Sequence, residues 1–188
     1  IVHRLVGSEM CIRDSYTYLF ESVEGGDKWA RYSLIGLRAK KVFKIINKTI
    51  EVFENNKLVE SLLVDDPLDF IDKLQQSYNL IEDPNLPKFN GGLVGYFAYD
   101  CIRYIEDRLA HSSPPDTIGT PDALFMLSEE VAVFDNLKNK LHLIILIDAE
   151  NQKSEANKRL DELEDKLKQT LPFEDFSAPK ETISESDF

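Results

Sequence analysis

The sequence predicts an α+β fold in which strands predominate, arranged as two packed antiparallel sheets with helices on the outside. Three observations lead there. Alternation of apolar and polar residues, the period of a strand, runs through the first two thirds of the chain. Four or five such runs precede the first segment with helical spacing. Helical spacing is then sustained at length only around residues 65–78 and from Asn151 onward.

Residues 1–15, IVHRLVGSEMCIRDS, fit nothing downstream and lack the charged-then-apolar layout of a signal peptide. LVGSEMCIRDS resembles translated sequencing-adapter text, so this segment is set apart as non-native; an ordinary native strand and loop is the alternative. The first strand is read at Tyr16 to Val23 (YTYLFESV), with Tyr16, Tyr18, Phe20 and Ser22 on one face and Thr17, Leu19, Glu21 and Val23 on the other. A turn at Gly25-Gly26 returns the chain into RYSLIGL, starting at Arg31. KKVFKIIN and IEVFEN, joined by NKT, form a hairpin, and KLVESLLV follows.

In DDPLDFIDKLQQSY, Asp66 is the N-cap and Pro67 takes the first helical position, where its missing N–H costs nothing. Leu68, Ile71 and Leu74 supply the buried stripe of that helix. After a loop with Pro84 and Pro87 come the strand NGGLVGYFAYD, a short helical turn CIRYIEDRL and the proline-rich loop SSPPDTIGTPD. Two strands, ALFMLSEEVAVFDN and KLHLIILIDA, pair through a turn at Asn136 to Asn139. From Asn151 a polar surface helix carries Ala156, Leu160, Leu163, Leu167 and Leu171 as a narrow apolar stripe, and beyond Pro172 the periodicity stops.

At 188 residues the chain suits one domain with a real core. No apolar run approaches the roughly 20 residues of a membrane-spanning helix, so no membrane partner is expected. The net charge of −12 argues against a nucleic-acid surface, which needs clustered Lys and Arg on one face. The densest basic run, LRAKKVFK, reads as a solvated edge strand. Cys11 and Cys101 belong to no CxxC or Cys/His cluster, which leaves neither a zinc site nor a disulfide framework and fits a reducing cytoplasm.

Catalytic constellations are sparse. His111, in a Ser/Pro loop, and His142, in an apolar strand, read as structural. GGLVGYF lacks both GxxxxGK[ST] and GxGxxG, so Gly91, Gly92 and Gly95 read as permitting a bend or close backbone packing. Asp122 and Asp135, each near a strand end, read as turn residues. The stretch LFESVEGGDKWARYSLIG stands apart. A buried Glu21 would need a partner, and at a strand end it could bind an ammonium group. Ser22 with nearby backbone N–H groups could take a carboxylate or an indole N–H, and Trp29 and Tyr32 offer apolar walls. The residues alone leave two readings open: a turn with a satisfied glutamate, and a site for an amphoteric, partly aromatic small molecule such as an amino acid.

With LFESVEGGDKWARYSLIG, GGLVGYFAYDCIRYIE and PDALFMLSEEVAVFDN in this order, the chain from Tyr16 to about Asp175 resembles the N-terminal domain of anthranilate synthase component I, the chorismate-using subunit of tryptophan biosynthesis. Aminodeoxychorismate synthase component I shares GGLVGYFAYD and RYS, whereas ES followed by GG is the anthranilate synthase form. The resemblance implies one domain over 16–175 and, over 176–188, a linker into a chorismate-binding catalytic domain outside this chain. It implies that Leu19, Phe20, Glu21 and Ser22 line an inhibitory tryptophan site, with Phe20 standing in place of a Leu. Glu21 would meet the ammonium group, and Ser22 would be the residue whose loss relieves feedback. Arg31 or Tyr32 matches a further contact position, and an Asn-Pro-x-x-Tyr-like segment of the catalytic domain would complete the site.

The parent reaction so implied converts chorismate and ammonia to anthranilate and pyruvate with Mg2+. Its acid/base residues and metal-binding glutamates belong to the catalytic domain, so this chain alone is expected to be inactive, with no catalytic residue, metal ligand or cofactor of its own. The implied partners are L-tryptophan, that catalytic domain and a glutamine amidotransferase subunit, component II. An aminodeoxychorismate synthase fragment and a free-standing amino-acid-binding module are the alternatives.

Overall fold

The computed structural model describes residues 16–21, 31–78, 83–109 and 118–169. Strands β1 (Tyr18–Glu21), β2 (Tyr32–Gly36), β8 (Glu130–Asp135) and β9 (Lys140–Ile145) form a four-stranded antiparallel sheet in the order β1-β2-β8-β9. Strands β3 (Lys41–Ile46), β4 (Thr49–Glu54), β5 (Lys57–Leu63), β6 (Gly92–Phe97) and β7 (Ala123–Ser128) form a five-stranded antiparallel sheet in the order β5-β4-β3-β7-β6. Helices α1 (Pro67–Ser77) and α2 (Lys153–Lys168) lie outside them. The expected α+β architecture of two antiparallel sheets with peripheral helices is therefore the one observed.

Four layers follow from which faces are apolar. Leu163 and Leu167 of α2 pack on Ile35, Ala132 and Leu143 of the four-stranded sheet. The opposite face of that sheet, with Val131, Val133 and Ile144, turns toward the five-stranded sheet, whose Val42, Val94 and Met126 meet Tyr16 and Tyr18; Phe89 touches both clusters. Beyond the five-stranded sheet, Phe70, Ile71 and Leu74 of α1 cover Phe43, Ile45 and Phe125. Phe70 thus takes the place expected for Leu68, which is half-buried outside that cluster. Asp66 caps α1 as expected, accepting from the N–H groups of Leu68 and Asp69 at 2.8 and 3.4 Å, a cap worth about 1 kcal/mol.

Two expectations are corrected. ALFMLSEEVAVFDN is two strands, and they lie in different sheets: β7 pairs with β3 and β6, and β8 pairs with β2 and β9. Each sheet is covered by a helix on one face and by the other sheet on the other, so both strands carry apolar residues on both faces, and Ser128-Glu129-Glu130, where the chain changes sheet, has no glycine or proline to mark the break. The basic run LRAKKVFK is also not an edge, because β3 is the middle strand of its sheet. Val42, Phe43 and Ile45 are buried there, while Lys44 lays its stem along the sheet and sets its ammonium 4.5 Å from the Phe53 ring centre.

Gly95 confirms the expected close packing: a β-carbon at this position would collide with the carbonyl of Leu124 on the neighbouring strand. Asn47 and Asn139, in the β3–β4 and β8–β9 turns, take φ of 53° and 50°, left-handed values that asparagine tolerates better than most residues. The segments 1–15 and 176–188 lie outside the described residues.

Candidate functional site

The first sheet edge holds five of the six residues expected to form a site. Ser22, with Trp29 and the Gly25-Gly26 turn, lies outside the described residues. In β1, Leu19 opposes Ile35, Phe20 opposes Leu34 and Glu21 opposes Ser33. Opposed residues share a face. Leu19 and Glu21 therefore project to the α2 side with Ile35 and Ala132, whereas Tyr18, Phe20 and Tyr32 project toward the five-stranded sheet.

Edge position leaves this wall open to solvent. Leu19 and Phe20 are 42% and 51% exposed, and Glu21 is exposed as well. The expected need of a buried Glu21 for a partner does not arise, since water solvates its carboxylate. Phe20 stacks at 5.1 Å, ring centre to ring centre, on Tyr18.

Arg31 enters β2 with its guanidinium fixed. Its Nε donates to both carboxylate oxygens of Asp135 at 3.1 and 3.3 Å, and its Nη2 donates to Oδ2 at 2.8 Å. Asp135 opposes Tyr32 in the β2–β8 register, and the same guanidinium lies 4.7 Å from the Tyr32 ring centre. The N–H of Lys138 also donates to Asp135, at 3.1 Å, and the N–H of Asn136 donates to the carbonyl of Arg31 at 2.7 Å. Asp135 is 2% exposed, and the Arg31 hydrogen bonds hold its carboxyl down to about 2 despite that burial. Phe20, Tyr32 and the Arg31 guanidinium thus gather on one face of this sheet end, and Leu19 and Glu21 on the other.

Asp135 is more than the expected turn residue, and so is Asp122. The Asp122 carboxylate accepts from Tyr104 Oη at 2.6 Å and from the N–H of Asn47 at 2.6 Å, with Arg103 Nη2 3.7 Å away. It ties the β3–β4 turn to the short 3-10 helix at Tyr99–Tyr104. Burial and the Asp122 charge push the Tyr104 phenol far above the ordinary tyrosine range.

Two clefts of about 430 Å3 lie elsewhere, and neither is lined by Leu19, Phe20, Glu21, Arg31 or Tyr32. One, beside α2, is lined by Arg38, Lys40, Glu129, Asp148 and Arg159, and the other, beside α1, by Ile71, Leu93, Phe125 and Leu127. Burial raises the Glu129 carboxyl above its ordinary value. Among the described residues no three His, Cys, Asp or Glu side chains converge to hold a metal ion.

Comparison with known proteins finds relatives of this chain. Residues 18–188 match the family described as chorismate binding enzyme. A protein of Pseudomonas putida named anthranilate synthase component 1 is 47% identical over 157 residues, covering 82% of this chain and 32% of that protein. One of the same name from Neisseria meningitidis serogroup B is 40% identical over 177 residues, covering 90% of this chain and 36% of that protein. The crystal structure of anthranilate synthase component I from Streptococcus pneumoniae TIGR4 superposes with a TM-score of 0.60 at 28% identity, covering 92% of this chain and 37% of that one. The chain spans about a third of the length of these relatives.

Proposed function

This chain belongs to the chorismate binding enzyme family, and we propose that it is the N-terminal, feedback-regulatory part of an anthranilate synthase component I. The observation that carries this reading is the similarity, over most of the chain, to proteins of that name. The parent enzyme would convert chorismate and ammonia, the latter from a glutamine amidotransferase subunit, into anthranilate and pyruvate in the cytoplasm. Catalytic groups and Mg2+ ligands would come from residues outside this chain, which by itself would release no anthranilate.

The regulatory role rests on the sheet end that carries Leu19, Phe20, Glu21, Arg31 and Tyr32, together with Ser22. An anchored guanidinium and aromatic rings on one face of this strand end suit the carboxylate and indole of L-tryptophan, while the Glu21 carboxylate, expected to meet the ammonium group, lies on the other face. A coupling of about 1–3 kcal/mol between this site and the catalytic part would be ordinary for such control.

The test is inhibition by added L-tryptophan of the enzyme that carries this chain, with and without Ser22→Ala. Weakened inhibition with uninhibited turnover intact is the expected result. Equal inhibition of both forms removes Ser22 from the site, and turnover that ignores tryptophan in the unmodified enzyme favours an aminodeoxychorismate synthase instead.

A further inference from the structure

We infer that Asp135 is a positioning residue for ligand recognition, fixing the Nε–Nη2 edge of Arg31 so that the Nη1 edge is presented to a carboxylate beside Tyr32 and Phe20. The inference rests on the amino-acid site proposed above and assigns it a residue that lies 104 positions from Arg31 in the sequence.

A guanidinium has two edges that each match a carboxylate. In Arg31 one edge is committed to Asp135, through three contacts of 2.8 to 3.3 Å. Among the described residues Nη1 has no acceptor. The flat face is held as well, 4.7 Å over the Tyr32 ring. A surface arginine usually moves among many rotamers, and ordering it on a ligand costs conformational entropy. Here the side chain is ordered before any ligand arrives, by a carboxylate that is itself 2% exposed and held by a backbone N–H.

The surroundings select the kind of anion. Phe20, 51% exposed, lies on the same sheet face as Tyr32, over whose ring the guanidinium sits, so apolar surface shares that face with the guanidinium. An aromatic carboxylate uses both features. A bare inorganic anion uses only one.

Calorimetric titration of the enzyme that carries this chain with L-tryptophan and with tryptamine, which lacks the carboxylate, tests the assignment. Unmodified protein is expected to bind L-tryptophan about ten-fold more tightly than tryptamine, the value of a hydrogen bond to a charged group. Asp135→Asn should bring the two affinities within about two-fold by weakening L-tryptophan alone. Should that variant unfold, Arg31→Lys decides, because lysine can keep the ion pair with Asp135 but has no second edge to offer; the same loss of preference is expected. A folded variant of either kind that keeps the full preference overturns the inference and leaves the amino-acid site standing. Unmodified protein that binds neither compound overturns both.

Discussion

Tyr18 lies over Gly36, its partner in the β1–β2 register, so closely that a methyl group on Gly36 would overlap the phenol ring. The same ring carries its hydroxyl to the buried Ser128 at the end of β7, 2.8 Å away. One side chain thereby pins the edge strand to both sheets. Gly36→Ala should expel the ring and cost about 1–3 kcal/mol, as overpacking of a filled site does. Urea denaturation gives the magnitude, and hydrogen exchange should show β1 losing protection first.

Tyr18→Phe keeps the ring and removes only the hydroxyl. The expected cost is about 1 kcal/mol, with Ser128 left short of a partner. A cost near zero would mean that water replaces the phenol at Ser128.

Gly95 and Gly92 should respond differently to the same substitution. At Gly95 a methyl meets the Leu124 carbonyl across the β6–β7 ladder, and backbone can yield only by parting the strands. Gly92 has open space around it but sits at φ +117°, where a β-carbon is strained. Gly92→Ala should cost about 1–3 kcal/mol with the fold retained, and Gly95→Ala more. Thermal unfolding of the two variants orders them.

Acid should weaken the Arg31–Asp135 contact in a defined window. The folded carboxyl titrates at about 2, below its ordinary value near 3.8, so its stabilising contribution is fully present above pH 4 and is lost as pH falls toward 2. Urea midpoints of unmodified protein and Asp135→Asn should therefore be furthest apart at neutral pH and converge below pH 4. A constant gap across that range would show that the ion pair is not its source.

Glu129 carries the opposite sign. Its carboxyl is raised by burial, so the folded state favours the protonated form, and the stability that protonation adds is lost as pH rises through the folded value. Glu129→Gln should raise the thermal midpoint at pH 7 and leave it unchanged at pH 4.

Legibility from the sequence followed the range of the interaction. The helix start at Asp66-Pro67 and the hairpin of β3 and β4 are written in adjacent residues, and both are where they were read. The switch of sheets at Glu129 is not, because the strands on either side are apolar on both faces and Ser128-Glu129-Glu130 between them holds no glycine or proline to mark a turn. Lys41 and Lys44 suggested an edge because the sequence records their charge and not the stems that cover a central strand. Asp135 looked like a turn residue because its partner is remote and nothing local marks a buried carboxylate. The family motif, by contrast, pointed to Glu21 and Ser22 by pattern alone, and the exposure of Glu21 removes the desolvation argument for it.

The order of strands has a kinetic corollary. Every strand of the five-stranded sheet lies between the two halves of the four-stranded one, which pairs Gly36 with Val131 around the whole block. Joining those halves in an unfolded chain closes a loop on the order of 100 residues, at roughly 4 kcal/mol of chain entropy. Once β3 and β7 are paired, Lys41 already faces Leu127, and the two halves are delivered to each other. The inner sheet thus serves as the template for the outer one, and during synthesis β1 and β2 must wait, unpartnered by β8, until nearly the whole domain has been made.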